Sequence, residues 1–171
     1  MTIGPARQRE TNLGGYMAVG LALILGLLLV TLTVLFHYEV LQFAAGLPDR
    51  LTFSTRPRVL IVIAVVLAAH VMEALFYAVA YYAMQSYFQM GGLNGHLEGD
   101  LLDYFYFSIA TYTTLGIGDV HPSGAVRLVA GLEALNGLVL IGWSASFTYL
   151  TMEQFWDTGR DKKDASARAR M

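Results

Sequence analysis

Residues Thr113–Pro122 read "TTLGIGDVHP": paired threonines, then glycines at alternate positions and an aspartate, set between long apolar runs. The composition around this stretch is that of a membrane chain, with 56% hydrophobic and only 14% charged residues, against about 25% charged in a soluble average. The uncharged run from Tyr16 to Phe36 covers ~30 Å as a helix, which matches the hydrocarbon core of a bilayer. A second span is expected over 59–84, interrupted by His70 and Glu73, and a third over 123–156, carrying Glu133. The sequence thus predicts an all-α membrane protein with three transmembrane helices per chain, and the quoted stretch falls between the second and third.

Charge placement orients these spans. Lys and Arg are absent from Val59 to Val126, a segment that holds Glu73, Glu98, Asp100, Asp103 and Asp119. Arg50, Arg56 and Arg58 lie in the 37–58 linker, and Arg160, Lys162, Lys163, Arg168 and Arg170 lie in the 157–171 tail. Basic residues collect on the cytoplasmic side, so the linker and the tail are expected inside. The 1–15 segment, despite Arg7 and Arg9, and the whole of 85–122 then fall outside, in a multi-pass protein of the plasma (inner) membrane. Neither the first nor the second span carries the arginine ladder that a voltage sensor requires. The chain has no cysteine, which excludes a disulfide framework and a thiolate metal site. No basic surface for nucleic acid is present.

Within 85–122, the stretch "QSYFQMGGLNGHLEG" has the glycines and small polar residues of an exposed, mobile loop. Asp100 or Asp103 can cap the helix that follows, and "LLDYFYFSIATYTT" supplies only about three turns, too few to cross a bilayer. The helix is therefore expected to be re-entrant. Non-helical backbone at membrane depth is tolerated only where it is buried in protein or lines water, and the glycines of "TLGIGD" permit it there. Carbonyls converging from several copies of such a segment can replace the hydration shell of a cation. The carboxyl end of the preceding helix favours the same charge, and the Thr114 hydroxyl adds an oxygen.

These residues resemble the pore signature of tetrameric potassium channels, the pore-loop cation channels whose filter core reads T-V-G-Y-G-D. Thr114, Leu115, Gly116, Ile117, Gly118 and Asp119 match it position by position, with Leu for Val and with Ile117 where the family usually has Tyr or Phe. The resemblance covers about 59–156 and leaves the first span outside the two-helix pore unit. It implies a homotetramer in the lipid bilayer that conducts K+ passively. K+ ions would sit at Thr114, Leu115, Gly116 and Ile117, with Gly118 completing the filter, and no organic cofactor is implied. It also implies Thr113, Asp119 and His121 as filter support and outer mouth, and Gly137 as the inner-helix hinge. If the third helix lines the pore, helical spacing turns Leu138, Ile141, Ala145 and Tyr149 to the cavity. The alternatives are a weakly selective or nonselective monovalent cation channel, a nonconducting membrane subunit, or a potassium-uptake transporter subunit; the last fits poorly, because its chains carry four repeats and none is found here. No other protein partner can be inferred, and no enzyme is expected.

Ionisable groups inside spans are costly and are functional candidates. Glu73 and Glu133 fall at a common depth, and His70 and Asn136 share their helix faces at a spacing of three residues. A polar buttress behind the filter is expected from His70, Glu73, Tyr77, Tyr112, Glu133 and Asn136, standing in for the ring that Ile117 lacks. The histidines look scattered and without ligand companions, so they predict no metal site. His121 at the mouth could repel cations when protonated, and Trp156 suits an interfacial anchor. A nucleotide-binding G-x-G-x-x-G fails because residue 121 is His.

Overall fold

The computed structural model describes residues 5–50 and 55–168, with side-chain surroundings described for 14–47 and 59–153. The element order is α1 (Pro5–Arg50), α2 (Thr55–Ser86), β1 (Leu93–Gly95), α3 (Leu101–Tyr112), β2 (Val120–Pro122) and α4 (Val126–Arg168). Among the described residues, three segments are long and apolar enough to span a bilayer, Gly14–Leu47, Val59–Ser86 and Val126–Glu153. The protein is a mostly helical multi-pass membrane protein, as expected.

Several boundaries differ from the expectation. The first helix does not stop at Phe36 but continues to Arg50, so most of the supposed 37–58 linker is helix. The stretch "HYEVLQFAAGL" contains no proline, and its Leu41 and Ala44 are buried, so packing holds it helical past Glu39. At the other end α1 begins at Pro5, inside the supposed 1–15 segment. The second helix runs from Thr55 to Ser86, beginning four residues before the expected 59–84 span and ending two after it. The third starts at Val126 rather than Ser123, because Gly124 turns the chain with φ +59. It then runs through Arg168, so the expected 157–171 tail is helical over most of its length. Residues 51–54 and 169–171, Arg170 among them, lie outside the described residues, as do the side chains of Trp156 and of the other basic residues in the tail.

The chain divides into two compact units, Met1–Val34 with Val71–Leu138 and Leu35–His70 with Val139–Met171. In the first, a core of Tyr77, Ala78, Tyr81, Met84, Tyr104, Phe107, Val126 and Val129 joins α2, α3 and α4. Ala22 and Leu29 of α1 belong to the same core. At Gly26, α1 comes so close that a β-carbon would lie 2.6 Å from Leu132 Cδ1. The segment after α2, expected to be mobile, is tied down instead. Strand β1 pairs antiparallel with β2, placing Leu93 opposite Pro122, Asn94 opposite His121 and Gly95 opposite Val120. The Gln85 side chain accepts from Leu93 N–H at 2.8 Å, Ala125 N–H donates to Met90 C=O at 2.8 Å, and Met90 and Leu93 are buried.

In the second unit, His37, His70 and Trp143 gather from α1, α2 and α4. The two imidazoles stand 5.1 Å apart between centroids, and Trp143 lies 5.6 Å from His37.

Candidate functional site

The site begins at the amino end of α3. Asp100 caps the helix by accepting from Asp103 N–H at 3.1 Å, and Asp103 accepts from Gly99 N–H at 2.7 Å. Both aspartates considered as caps are thus used, one on each side of the same turn. At the other end Thr114 N–H donates to Thr111 C=O and Leu115 N–H to Ala110 C=O, each at 2.9 Å. This pair of bonds is the Schellman closure, with Thr114 in the left-handed position that glycine usually fills. Thr114 has φ +57, a costly conformation for a β-branched residue.

The handedness then alternates. Gly116 and Gly118 have φ +55 and +89, whereas Leu115 and Ile117 between them do not have positive φ. Every residue from Thr113 to Asp119 is exposed in the single chain. Leu115 is 65% and Ile117 58% exposed, so neither side chain finds a seat within the chain. The segment is fastened at its far end, where Tyr106 O–H of α3 donates to Asp119 Oδ2 at 2.9 Å. Donation to this carboxylate raises the Tyr106 hydroxyl pKa above its ordinary range. His121 follows on β2 and is exposed.

Behind the segment lies a set of buried polar contacts. Tyr112 O–H donates to Glu73 Oε2 at 2.5 Å, so the last helical residue of α3 is held to α2. Tyr81 O–H donates to Glu133 Oε2. Ser108 Oγ lies 2.7 Å from the Ala74 carbonyl oxygen and 2.5 Å from Glu133 Oε1. A hydroxyl has one proton, so it satisfies both contacts only when the Glu133 carboxyl group supplies the second. Asn136 Nδ2 donates to Thr33 Oγ1 at 2.8 Å and to Tyr77 O–H at 3.2 Å.

Of the residues expected to form the buttress, Glu73 with Tyr112 and Tyr77 with Asn136 are paired, and Glu133 is held by two others. Tyr81, Ser108, Thr33 and Tyr106 were missed. Glu73, Tyr77 and Tyr81 recur every four residues on α2, as do Ser108 and Tyr112 on α3, a spacing that puts each set on one face. That stripe was the available signal. His70 is placed with Ser144, whose Oγ lies 3.0 Å from His70 Nε2 and 2.9 Å from His37 Nε2. The histidines are therefore not all scattered, since two of them share one hydroxyl. That hydroxyl can donate to one ring and accept from the other.

A family model described as "Ion channel" matches residues 60–154, more than half of the chain. The chain belongs to this ion channel family. A relative, the two-pore potassium channel 1 of Arabidopsis thaliana, is 40% identical over 65 residues, which cover 36% of this chain and 18% of that protein. The channel chain thus spans less than a fifth of the relative's length. Both matches bear out the resemblance to pore-loop potassium channels.

In this channel chain, α4 is unbroken at Gly137. A β-carbon there would overlap the Tyr112 carbonyl group, so close approach to the end of α3 accounts for the glycine. Further along α4, Leu138, Ile141, Ala145 and Tyr149 are all exposed in the single chain. The matched region begins at residue 60, within α2, so α1 and Thr33 lie outside it.

Proposed function

We propose that the chain is the subunit of a homotetrameric, potassium-selective channel that conducts K+ passively, with Thr114–Gly118 as its filter. The observation that carries this reading is the alternation of positive φ at Thr114, Gly116 and Gly118. In an extended strand successive peptide groups point to opposite sides; alternating handedness turns them toward one side. A column of carbonyl oxygens facing one axis can take the place of water around a cation. One column cannot surround an ion, and the full exposure of Thr113–Asp119 in the single chain fits a segment completed by other copies.

In the tetramer α3 is a re-entrant pore helix that enters from outside and stops at the filter. K+ sits at Thr114, Leu115, Gly116 and Ile117. Asp119, held by Tyr106, and His121 form the outer mouth, and Thr113 supports the filter base. Leu138, Ile141, Ala145 and Tyr149 of α4 line the cavity, and α4 bends at Gly137 if the pore gates there. The name of the plant relative, a potassium channel, supports selectivity for K+. Basic residues at the carboxyl end of α1, in the first turn of α2 and in the tail favour a cytoplasmic location for those segments in the plasma (inner) membrane.

Two measurements on pure protein test this. Crosslinking in mild detergent is expected to trap a tetramer. Liposomes holding the protein are expected to pass K+ faster than Na+ and to be blocked by barium. Equal flux of both ions would make the protein a nonselective cation channel, and a tetramer without flux would make it a nonconducting subunit.

A further inference from the structure

We propose that Thr33, on the first helix and outside the matched channel region, is a positioning residue for the selectivity filter; this rests on the reading of Thr114–Gly118 as that filter. Thr33 and Tyr77 are fully buried and Asn136 nearly so, and all three lie in one compact unit with α3. Asn136 has two amide N–H groups, and both are used: one on Thr33 Oγ1 at 2.8 Å, the other on the Tyr77 oxygen at 3.2 Å. The Thr33 hydroxyl proton is itself committed, pointing back to Leu29 C=O at 2.9 Å and Val30 C=O at 3.0 Å. Its oxygen is thereby turned outward from α1 as a fixed acceptor, and the amide can occupy only one orientation between α1 and α2.

The consequence reaches the filter through the next residue. Gly137 abuts the Tyr112 carbonyl group so closely that no β-carbon fits, and Tyr112 is the last helical residue before the turn at Thr113 and Thr114. The rotation and height of α4 at Asn136 therefore set the wall against which the end of α3 rests. A second contact of α1 lies two turns earlier, at Gly26 against Leu132. The two contacts hold α1 to α4 over the stretch that carries Glu133. A helix that served only as a membrane anchor would need apolar length alone, whereas a buried polar tie between helices holds them together.

Thr33→Val tests this. It keeps the shape and removes the acceptor, leaving one buried amide N–H unsatisfied. Thr33→Ser restores the acceptor. Thr31→Val is the control, since Thr31 makes the same bond to the helix backbone, at 2.8 Å to Leu27 C=O, but is exposed. Two readouts are taken on protein in lipid nanodiscs or liposomes with K+ present. The first is amide hydrogen exchange of the 106–119 peptide, which does not depend on conduction. The second is the ratio of K+ to Na+ flux. Thr33→Val is expected to speed exchange across Thr113–Gly118 about fivefold or more, the lower end of the effect of one unsatisfied buried donor on an opening equilibrium, and to lower the flux ratio. Thr33→Ser and Thr31→Val should leave both readouts unchanged. Unchanged exchange in Thr33→Val overturns the proposal, as does a flux ratio equal to that of the unmodified channel. If the unmodified protein does not select K+ at all, the filter reading fails on its own, and exchange alone decides whether Thr33 positions Thr113–Gly118.

Discussion

Gly137 of α4 rests directly on the backbone carbonyl group of Tyr112, the last helical residue of α3. Close contact between two backbones is rigid, because no rotamer change can relieve it. Gly137→Ala is therefore expected to destabilise the solubilised protein by about 1–3 kcal/mol, the usual result of overpacking, and to disturb the proposed filter that follows Tyr112. Gly131→Ala, on the same helix with nothing within 4 Å in the chain, should leave stability at or above its original value, since alanine is the better helix former. Thermal unfolding of the two variants checks the difference.

Glu133 separates charge from hydrogen bonding. The Ser108 hydroxyl faces both Ala74 C=O and Glu133 Oε1, and Tyr81 donates to the other carboxyl oxygen. A neutral group that can both donate and accept suits this place. Glu133→Gln should assemble normally and stay within about 1 kcal/mol of the unmodified protein. Glu133→Leu leaves the Tyr81 hydroxyl without its acceptor, which costs about 1–3 kcal/mol. Crosslinked tetramer yield on heating distinguishes them; equal losses in both variants would show that the carboxyl group must carry charge.

The Tyr106–Asp119 bond predicts a pH dependence at the proposed outer mouth. Its neutral hydroxyl is favoured in the folded state, so the bond is present at neutral pH and below the ordinary tyrosine range. It is lost as pH rises through the raised value. Tyr106→Phe removes it at every pH. Under sustained K+ flux the variant is expected to lose conductance faster than the unmodified channel at neutral pH, with the difference shrinking in strong alkali.

How much of this could be read beforehand depended on the range of each interaction. The turn after α3 was legible because it is local: Thr114, Gly116 and Gly118 have positive φ, and the alternating glycines announce it. The cap at Asp100 was legible for the same reason. The end of α1 was misjudged at Phe36, because His37, Tyr38 and Glu39 look like a water boundary. In the fold His37 is buried and bonded to Ser144, more than a hundred residues away in sequence, and nothing local reveals that. Glu73 and Glu133 were marked by the cost of placing a carboxyl group in a span. Their partners Tyr112, Tyr81 and Ser108 come from other helices, so helix rotation has to be known first. The i, i+4 recurrence of Glu73, Tyr77 and Tyr81 gives that rotation for α2. Thr33 carries no comparable signal, since a threonine in an apolar helix can satisfy itself on its own backbone.

In the proposed channel the backbone from Thr114 to Gly118 selects K+. This is tested most directly by the reversal potential of the pure protein in a planar bilayer with K+ on one side and Na+ on the other. A potential close to that of a membrane permeable to K+ alone is expected, abolished together with the current by barium. A reversal potential near zero, with current carried equally by both ions, would contradict it.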